Sequence, residues 1–152
     1  MIKVRSLKPE DRSEWIRLRL ALWPYHDITE LENSAEAIAT NRETETVFVA
    51  ERPGGGLCGM AEFSIRLHAK GCQTNNVGYI EGWFVDTDMR QKGVGRQLIA
   101  SGEAWARSRG CKEMASDTTL KYPISPLVHE ALGYQEVDRT IHFSKTLRRQ
   151  TD

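Results

Sequence analysis

The chain has 152 residues, in which 21 lysine and arginine residues balance 21 aspartate and glutamate residues, so its formal net charge is zero. A chain of this length builds one hydrophobic core that buries roughly 70% of the surface exposed on unfolding, and the balanced charge argues against a general nucleic-acid binder. No apolar run is long enough to span a membrane, and the first residues, Met1-Ile-Lys-Val-Arg-Ser, lack the apolar centre of a signal peptide. A cytoplasmic protein without nucleic-acid or membrane partners is expected.

Cys58, Cys72 and Cys111 are odd in number and widely spaced, which suits reduced thiols better than a disulfide framework or a metal knuckle. Cys111 is expected to be buried packing. His129 has no partner histidine or cysteine at ligand spacing, so no metal site is predicted. Charge is uneven: Asp27, Glu30, Glu32 and Glu36 fall in a segment, 27–41, that carries no lysine or arginine. Such a segment is either a solvated helix face or an acidic wall for a cationic substrate.

In chain order, Ile2 to Leu7 alternates as a strand, and Trp15, Leu18, Leu22 and Trp23 fall at helical intervals over Asp11 to Trp23, where Pro24 stops the helix. Leu31, Ala35, Ile38 and Ala39 line a second helix over Glu30 to Thr40. Val47 to Glu51, the turn Pro53-Gly-Gly-Gly56 and Leu57 to Leu67 read as a hairpin. After a loop over Lys70 to Asn76, Tyr79 to Val85 is a strand with Tyr79, Glu81, Trp83 and Val85 on one face if the pleat is regular; a bulge would change that parity. Val94, Leu98, Ser101 and Trp105 line a helix that Gly110 ends. Lys112 to Thr118 follows as a strand, Leu127 to Leu132 as a short helix closed by Gly133, and Arg139 to Leu147 as a last strand with Ile141 and Phe143 on one face. Trp15 and Trp105 read as core. The order predicts an α/β (α+β) domain over residues 1–152, with a mixed sheet that is antiparallel except where the strand–helix–strand unit makes a parallel pair.

The segment between the aromatic strand and its helix carries Arg90-x-x-Gly93-x-Gly95. Unpaired amides and the positive end of a helix favour a diphosphate wherever glycines let it approach the backbone. A Walker-type loop would end in Gly-Lys-Ser/Thr, and a dinucleotide fingerprint would be Gly-x-Gly-x-x-Gly near the first strand; neither is present. The pattern resembles the acetyl-coenzyme A motif of the Gcn5-related N-acetyltransferase (GNAT) superfamily. That resemblance implies a single GNAT domain in which the strands on either side of the motif's helix splay apart to admit the pantetheine arm. Main-chain groups of Trp83, Phe84 and Val85 would bind the arm, and amides of Gln91, Lys92, Gly93, Val94, Gly95 and Arg96 would bind the pyrophosphate. Arg90, Lys92 and Arg96 group around that site, giving phosphate contact precedence over plain surface charge.

Further residues narrow the resemblance: Leu22-Trp23, Ile65-Arg66, Val77-Gly-Tyr-Ile-Glu-Gly82, Ala115-Ser-Asp-Thr118 and His129-Glu-Ala-Leu-Gly-Tyr134 occur in this order. They look like the small chromosomal-type subfamily of aminoglycoside 6′-N-acetyltransferases, along about Ile2 to Leu147. The resemblance implies transfer of the acetyl group of acetyl-CoA to the 6′-amine of kanamycin- or tobramycin-type drugs, antibiotic resistance, and a homodimer paired through the C-terminal sheet region. It aligns Trp23, Glu81 and Asp117 with drug contacts, His68 with a position commonly tyrosine, and Asp138 with a contact from the partner subunit. Where the subfamily runs on to Asp-Asn, this chain has Lys121-Tyr122, so the cofactor contact of that asparagine falls to Tyr122 or is lost.

The physical logic agrees, because a polyamine sugar needs carboxylates for its ammonium groups and apolar faces for its rings. A neutral amine attacks the thioester directly, so no acyl-cysteine is required; Asp117, directly or through water, is the candidate proton acceptor. A main-chain N–H near Val85 is placed to polarise the thioester oxygen, and Tyr122 or Tyr134 is available to protonate the thiolate. Two alternatives remain: a GNAT enzyme acting on a polyamine, small metabolite or protein amine, and an inactive acetyl-CoA-binding sensor.

Overall fold

The computed structural model describes residues 2–150. Five strands form one sheet in the order β1 (Val4–Ser6), β2 (Glu45–Glu51), β3 (Leu57–Arg66), β4 (Val77–Val85) and β5 (Met114–Ser116). All neighbours are antiparallel except β4 and β5, which are parallel. Helices α1 (Arg12–Leu22) and α2 (Ile28–Thr40) come before β2, α3 (Val94–Ser108) crosses from β4 to β5, and α4 (Ser125–Ala131) follows β5.

The sheet is packed on both faces, and for that reason β3 is buried along Leu57 to Ser64 instead of alternating with solvent. On one face Phe63, Ile80, Val94, Leu98 and Ile99 form the core under α3. On the other, Trp15, Leu18, Val47, Val49 and Met60 form the core under α1 and α2. The start of α1 is tied to the sheet edge through Asp11, which accepts the Lys8 N–H at 2.8 Å and the Arg5 guanidinium at 2.6 and 3.0 Å. Asp27 caps α2 by accepting the Thr29 N–H at 2.7 Å. In α2, Leu31 and Ala35 are buried while Glu32 and Glu36 face solvent, with Glu36 paired to Arg12, so most of the acidic segment is a solvated helix face.

One buried polar cluster interrupts the α1-side core. Arg19 donates to both oxygens of Glu62 at 2.9 Å, Trp15 Nε1 donates to Glu62 at 2.9 Å, and Arg19 reaches Ser34 Oγ at 2.8 Å. Burial pushes the Glu62 carboxyl up to about 6, against the pull of Arg19 and Trp15.

Several sequence expectations need correction. The first strand covers only Val4–Ser6 and the fifth only Met114–Ser116. The buried stripe of α3 runs through Val94, Leu98, Gly102 and Ala106, leaving Ser101 and Trp105 half-buried at its margin. This offset follows from Gly102, whose missing side chain leaves room for the Phe63 ring. Arg139 to Leu147 forms no strand within the chain, and Ile141, Phe143 and Leu147 are 77%, 91% and 83% exposed. An extended segment needs a neighbouring strand to hold its backbone hydrogen bonds, and among the described residues no strand pairs with this one.

The candidate active site

β4 is the strand that builds the site, because its two edges have different fates. Toward β3 it stays paired to its end, with Trp83, Phe84 and Val85 opposite Ala61, Met60 and Gly59. Toward β5 it pairs only over Gly78–Ile80 with Met114–Ser116. Beyond Ile80 that edge is open, and its main-chain groups form a template for an extended, amide-bearing arm.

The open edge leads directly to the start of α3. Asp86 secures the joint: its N–H donates to Cys58 O at 2.8 Å, and its carboxylate receives Arg17 and Arg52 at 3.0 and 2.9 Å. After a short turn over Thr87–Met89, Gln91 and Gly93 adopt positive φ angles of 61° and 80°. No side chain caps α3, so its first amides point out of the helix without a partner from a capping residue. An ideal Cβ on Gly95 would lie 3.1 Å from the Trp83 indole, so glycine lets the first turn of α3 sit close over β4. Arg90 folds back to donate from Nε to Val85 O at 2.8 Å, and Arg96 reaches Ala131 O at 3.5 Å, while Lys92 is exposed. An open strand edge and an uncapped, positively flanked helix start fit the amide-rich arm and the diphosphate of an acyl-CoA.

A β-bulge sets the acceptor side. Glu62 pairs with Gly82 and Phe63 with Ile80, so Glu81 is the extra residue on β4. The bulge resets the parity: Trp83 and Val85 pack against the α3-side core, whereas Glu81 turns toward Ser64 and Arg66. The regular-pleat expectation of Tyr79, Glu81, Trp83 and Val85 on one face is therefore corrected. Ser64 Oγ donates to Glu81 at 2.6 Å, and Arg66 binds both Glu81 oxygens at 2.8 and 2.7 Å. The Arg66 guanidinium lies 3.5 Å from the Tyr79 ring centre, and the Tyr79 hydroxyl donates to Asp117. Burial, then the Asp117 carboxylate, raise the Tyr79 phenol above its ordinary range, which keeps it a donor. Trp23 completes this side. Its indole passes 2.8 Å from where a Cβ on Gly82 would stand, and it packs over the Arg19 guanidinium at 5.1 Å. Arg19, Trp23, His26, Glu30, Leu31 and Ser34 line a cavity of about 300 Å³ beside it.

Of the sequence-predicted residues, the fold thus gathers Trp23, Glu81 and Asp117 on one side of the β4–β5 seam, with the loop from Arg90 to Arg96 at its end. His68 is exposed and makes no hydrogen bond among the described residues. Asp138 is exposed on the C-terminal segment, where it pairs with Lys70 at 2.8 Å. The Tyr122 hydroxyl donates to Leu22 O at 3.0 Å and Lys121 Nζ lies 5.8 Å from the Tyr25 ring centre, so this loop closes on the end of α1. Tyr134 donates to Glu103 at 3.1 Å.

Sequence reasoning missed Ser64, Arg66 and Tyr79, although Arg66 and Tyr79 lay within the recurring segments. It also read His129 as packing alone. His129 Nδ1 donates to Ser125 O at 2.8 Å, which leaves Nε2 to accept from Ser116 Oγ at 2.8 Å, and its ring stands edge-on to Trp83 and Tyr134. Among the described residues no group of three or more histidine, cysteine, aspartate or glutamate side chains gathers to hold a metal.

A parallel strand pair open at one end, joined by a crossover helix with a bare amino terminus, is the layout of an acyl-CoA-dependent transferase. The sequence profile of the acetyltransferase (GNAT) family matches residues 8–134, and the chain belongs to that family. It is 37% identical over 146 residues to an aminoglycoside N(6′)-acetyltransferase type 1 from Klebsiella aerogenes, covering 95% of this chain and 96% of the relative. Its fold is similar to that of AAC(6′)-Iy in complex with the bisubstrate analog CoA-S-monomethyl-acetylneamine, with a TM-score of 0.87, 36% identity and coverage of 97% and 99% of the two chains. It is also similar to the aminoglycoside antibiotic 6′-N-acetyltransferase AAC(6′)-Ih from Acinetobacter baumannii, with a TM-score of 0.86, 31% identity and coverage of 97% and 99%.

Proposed function

We infer that the chain is an acetyl-CoA-dependent aminoglycoside 6′-N-acetyltransferase, with residues 1–152 as one catalytic domain. The observation that carries this reading is the meeting, at one seam, of an open β4 edge with the Glu81 and Asp117 carboxylates. The donor's arm lies along Trp83 to Val85, its diphosphate on the amides from Gln91 to Arg96, and the acceptor's ammonium groups on Glu81 and Asp117 with a sugar ring against Trp23. The neutral amine attacks the thioester carbonyl, forming the C–N bond as the carbonyl π bond opens. Asp117, directly or through water, takes the amine's proton, and collapse of the tetrahedral intermediate breaks the C–S bond and releases CoA as the thiolate, which takes its proton from solvent. An N–H near Val85 polarises the carbonyl oxygen. Tyr122 and Tyr134 already donate their hydroxyl protons to Leu22 O and Glu103, which weighs against either as the thiolate's proton donor.

Kanamycin- and tobramycin-type drugs, which carry a 6′-amine, are the proposed substrates. Thiol release with acetyl-CoA and kanamycin or tobramycin, measured beside 6′-hydroxyl analogues, tests this. Turnover confined to the amine forms is expected; equal turnover of the hydroxyl forms, or none with any aminoglycoside, would overturn it. We further propose a homodimer in which the segment from Arg139 to Leu147 finds its strand partner on a second copy, bringing Asp138 with it. The exposed, alternating Ile141, Phe143 and Leu147 support this, as does the absence of any strand pairing for that segment among the described residues.

A further inference from the structure

The acceptor side contains a fixed cation, which is unexpected where a polycation is to bind. Arg66 holds Glu81 through two parallel N–H···O contacts, and Ser64 takes a further acceptor position on the same carboxylate. A carboxylate offers about four acceptor positions, so these contacts leave about one free for a substrate ammonium. Arg66 is also braced: its guanidinium stacks on Tyr79, whose hydroxyl is committed to Asp117. Both carboxylates therefore hang on one guanidinium–phenol stack.

We propose that Arg66 is a positioning and specificity-determining residue that partly neutralises Glu81 and so loosens the site's hold on the proton of the bound amine. This rests on the reading of Glu81 and Asp117 as the acceptor's carboxylates. The physical argument is a balance of charges. An amine at the seam faces Glu81 from β4 and Asp117 from the end of β5, with Tyr79 uncharged between them. Glu45 of β2 lies close enough to feel Glu81, and its carboxyl is raised by burial and then by that charge. Beneath them Glu62 is offset by Arg19. Without Arg66 the amine would face two carboxylates, Glu81 and Asp117, with no cation beside them, and Glu45 would add to the negative field around Glu81. Such a site binds an ammonium tightly and deprotonates it poorly, whereas transfer needs the free base. At an effective dielectric of about 20, one nearby unit charge moves an amine's titration by roughly one to two pH units.

The test compares wild type with Arg66→Gln and Arg66→Lys, using tobramycin and acetyl-CoA. Calorimetric titration of tobramycin in buffers of different ionisation enthalpy reads the protons taken up on binding, and steady-state rates between pH 6 and 9.5 read the acid limb of kcat. For Arg66→Gln the expected result is tighter tobramycin binding, greater proton uptake at pH 8 to 9, kcat at pH 7 reduced about tenfold, and an acid limb moved up by about one pH unit. Arg66→Lys, which restores the charge without the paired contacts, returns the limb and the proton uptake toward wild type. Unchanged proton uptake with a kcat loss of the same factor at every pH would overturn the proposal and leave Arg66 a structural brace. If wild type binds no tobramycin, the acceptor reading fails instead, and the same proton-uptake comparison with spermidine decides the role of Arg66.

Discussion

The Tyr79 hydroxyl donates to the Asp117 carboxylate across the parallel seam, linking the strand that carries Glu81 to the residue that follows β5. This contact fixes the candidate base relative to the open edge. Asp117→Asn is expected to lower kcat by about a hundredfold or more with CoA affinity retained, the range of a lost general base. Tyr79→Phe removes one hydrogen bond to a charged group and is expected to lower kcat about tenfold. Because burial and then Asp117 raise the phenol above its ordinary range, wild type is expected to show no kinetic limb from Tyr79 between pH 6 and 9.5. Steady-state profiles of both variants beside CoA titrations check this; wild-type turnover by Asp117→Asn across that range would remove Asp117 as base.

Gly95, in the first turn of α3, sits against Trp83 of β4, the helix start and strand proposed to hold the donor. A methyl group there would meet the Trp83 indole at 3.1 Å, so α3 must lift or the ring must turn. Gly95→Ala is expected to weaken CoA binding several-fold, and Gly95→Leu more than tenfold, while the fold persists. Isothermal titration with CoA reads the change, and circular dichroism verifies the fold.

The Arg19–Glu62 pair is the largest electrostatic liability in the core. Glu62→Leu leaves Arg19 buried without its counter-charge and is expected to cost about 3–5 kcal/mol in urea denaturation, with part of the loss recovered in Arg19→Met/Glu62→Leu. The pH dependence has a definite sign. The folded carboxyl titrates at about 6 against an ordinary value of 4.5, so its contribution is fully present below about 4.5 and is lost as pH rises through about 6. That difference corresponds to about 2 kcal/mol. Glu62→Gln is expected to lack this slope between pH 4.5 and 6.

The C-terminal segment presents Phe143 at 91% exposure and Ile141 at 77%. Ile141→Lys/Phe143→Glu, or truncation after Gln135, is expected to convert a dimer to a monomer in sedimentation velocity, with wild type dimeric at micromolar concentration. A monomeric wild type would contradict the paired C-terminal segment.

How much of this was legible in the sequence differs from element to element. Residues Arg90 to Gly95 announced the glycine-opened start of α3, because such a helix start is a local feature that a few neighbours determine. Leu31 and Ala35 marked the inner face of α2 through their spacing for the same reason. The last strand, expected from the pattern of Ile141 and Phe143, is not formed within the chain, because a pattern names a face and not the neighbour that covers it.

The sequence by itself determined the family and the order of elements from β1 to α4, and it singled out the loop and the two carboxylates proposed to serve donor and acceptor. Each rests on local backbone chemistry or on residues whose identity carries the signal. The tertiary structure alone decided that Glu81 is a bulged residue turned away from Trp83, that Arg66 and Ser64 claim its oxygens, and that Tyr79 reaches Asp117. Those relationships depend on strand register between β3, β4 and β5. One extra residue in a register reverses which face a side chain occupies, and the partner that causes it lies far along the chain.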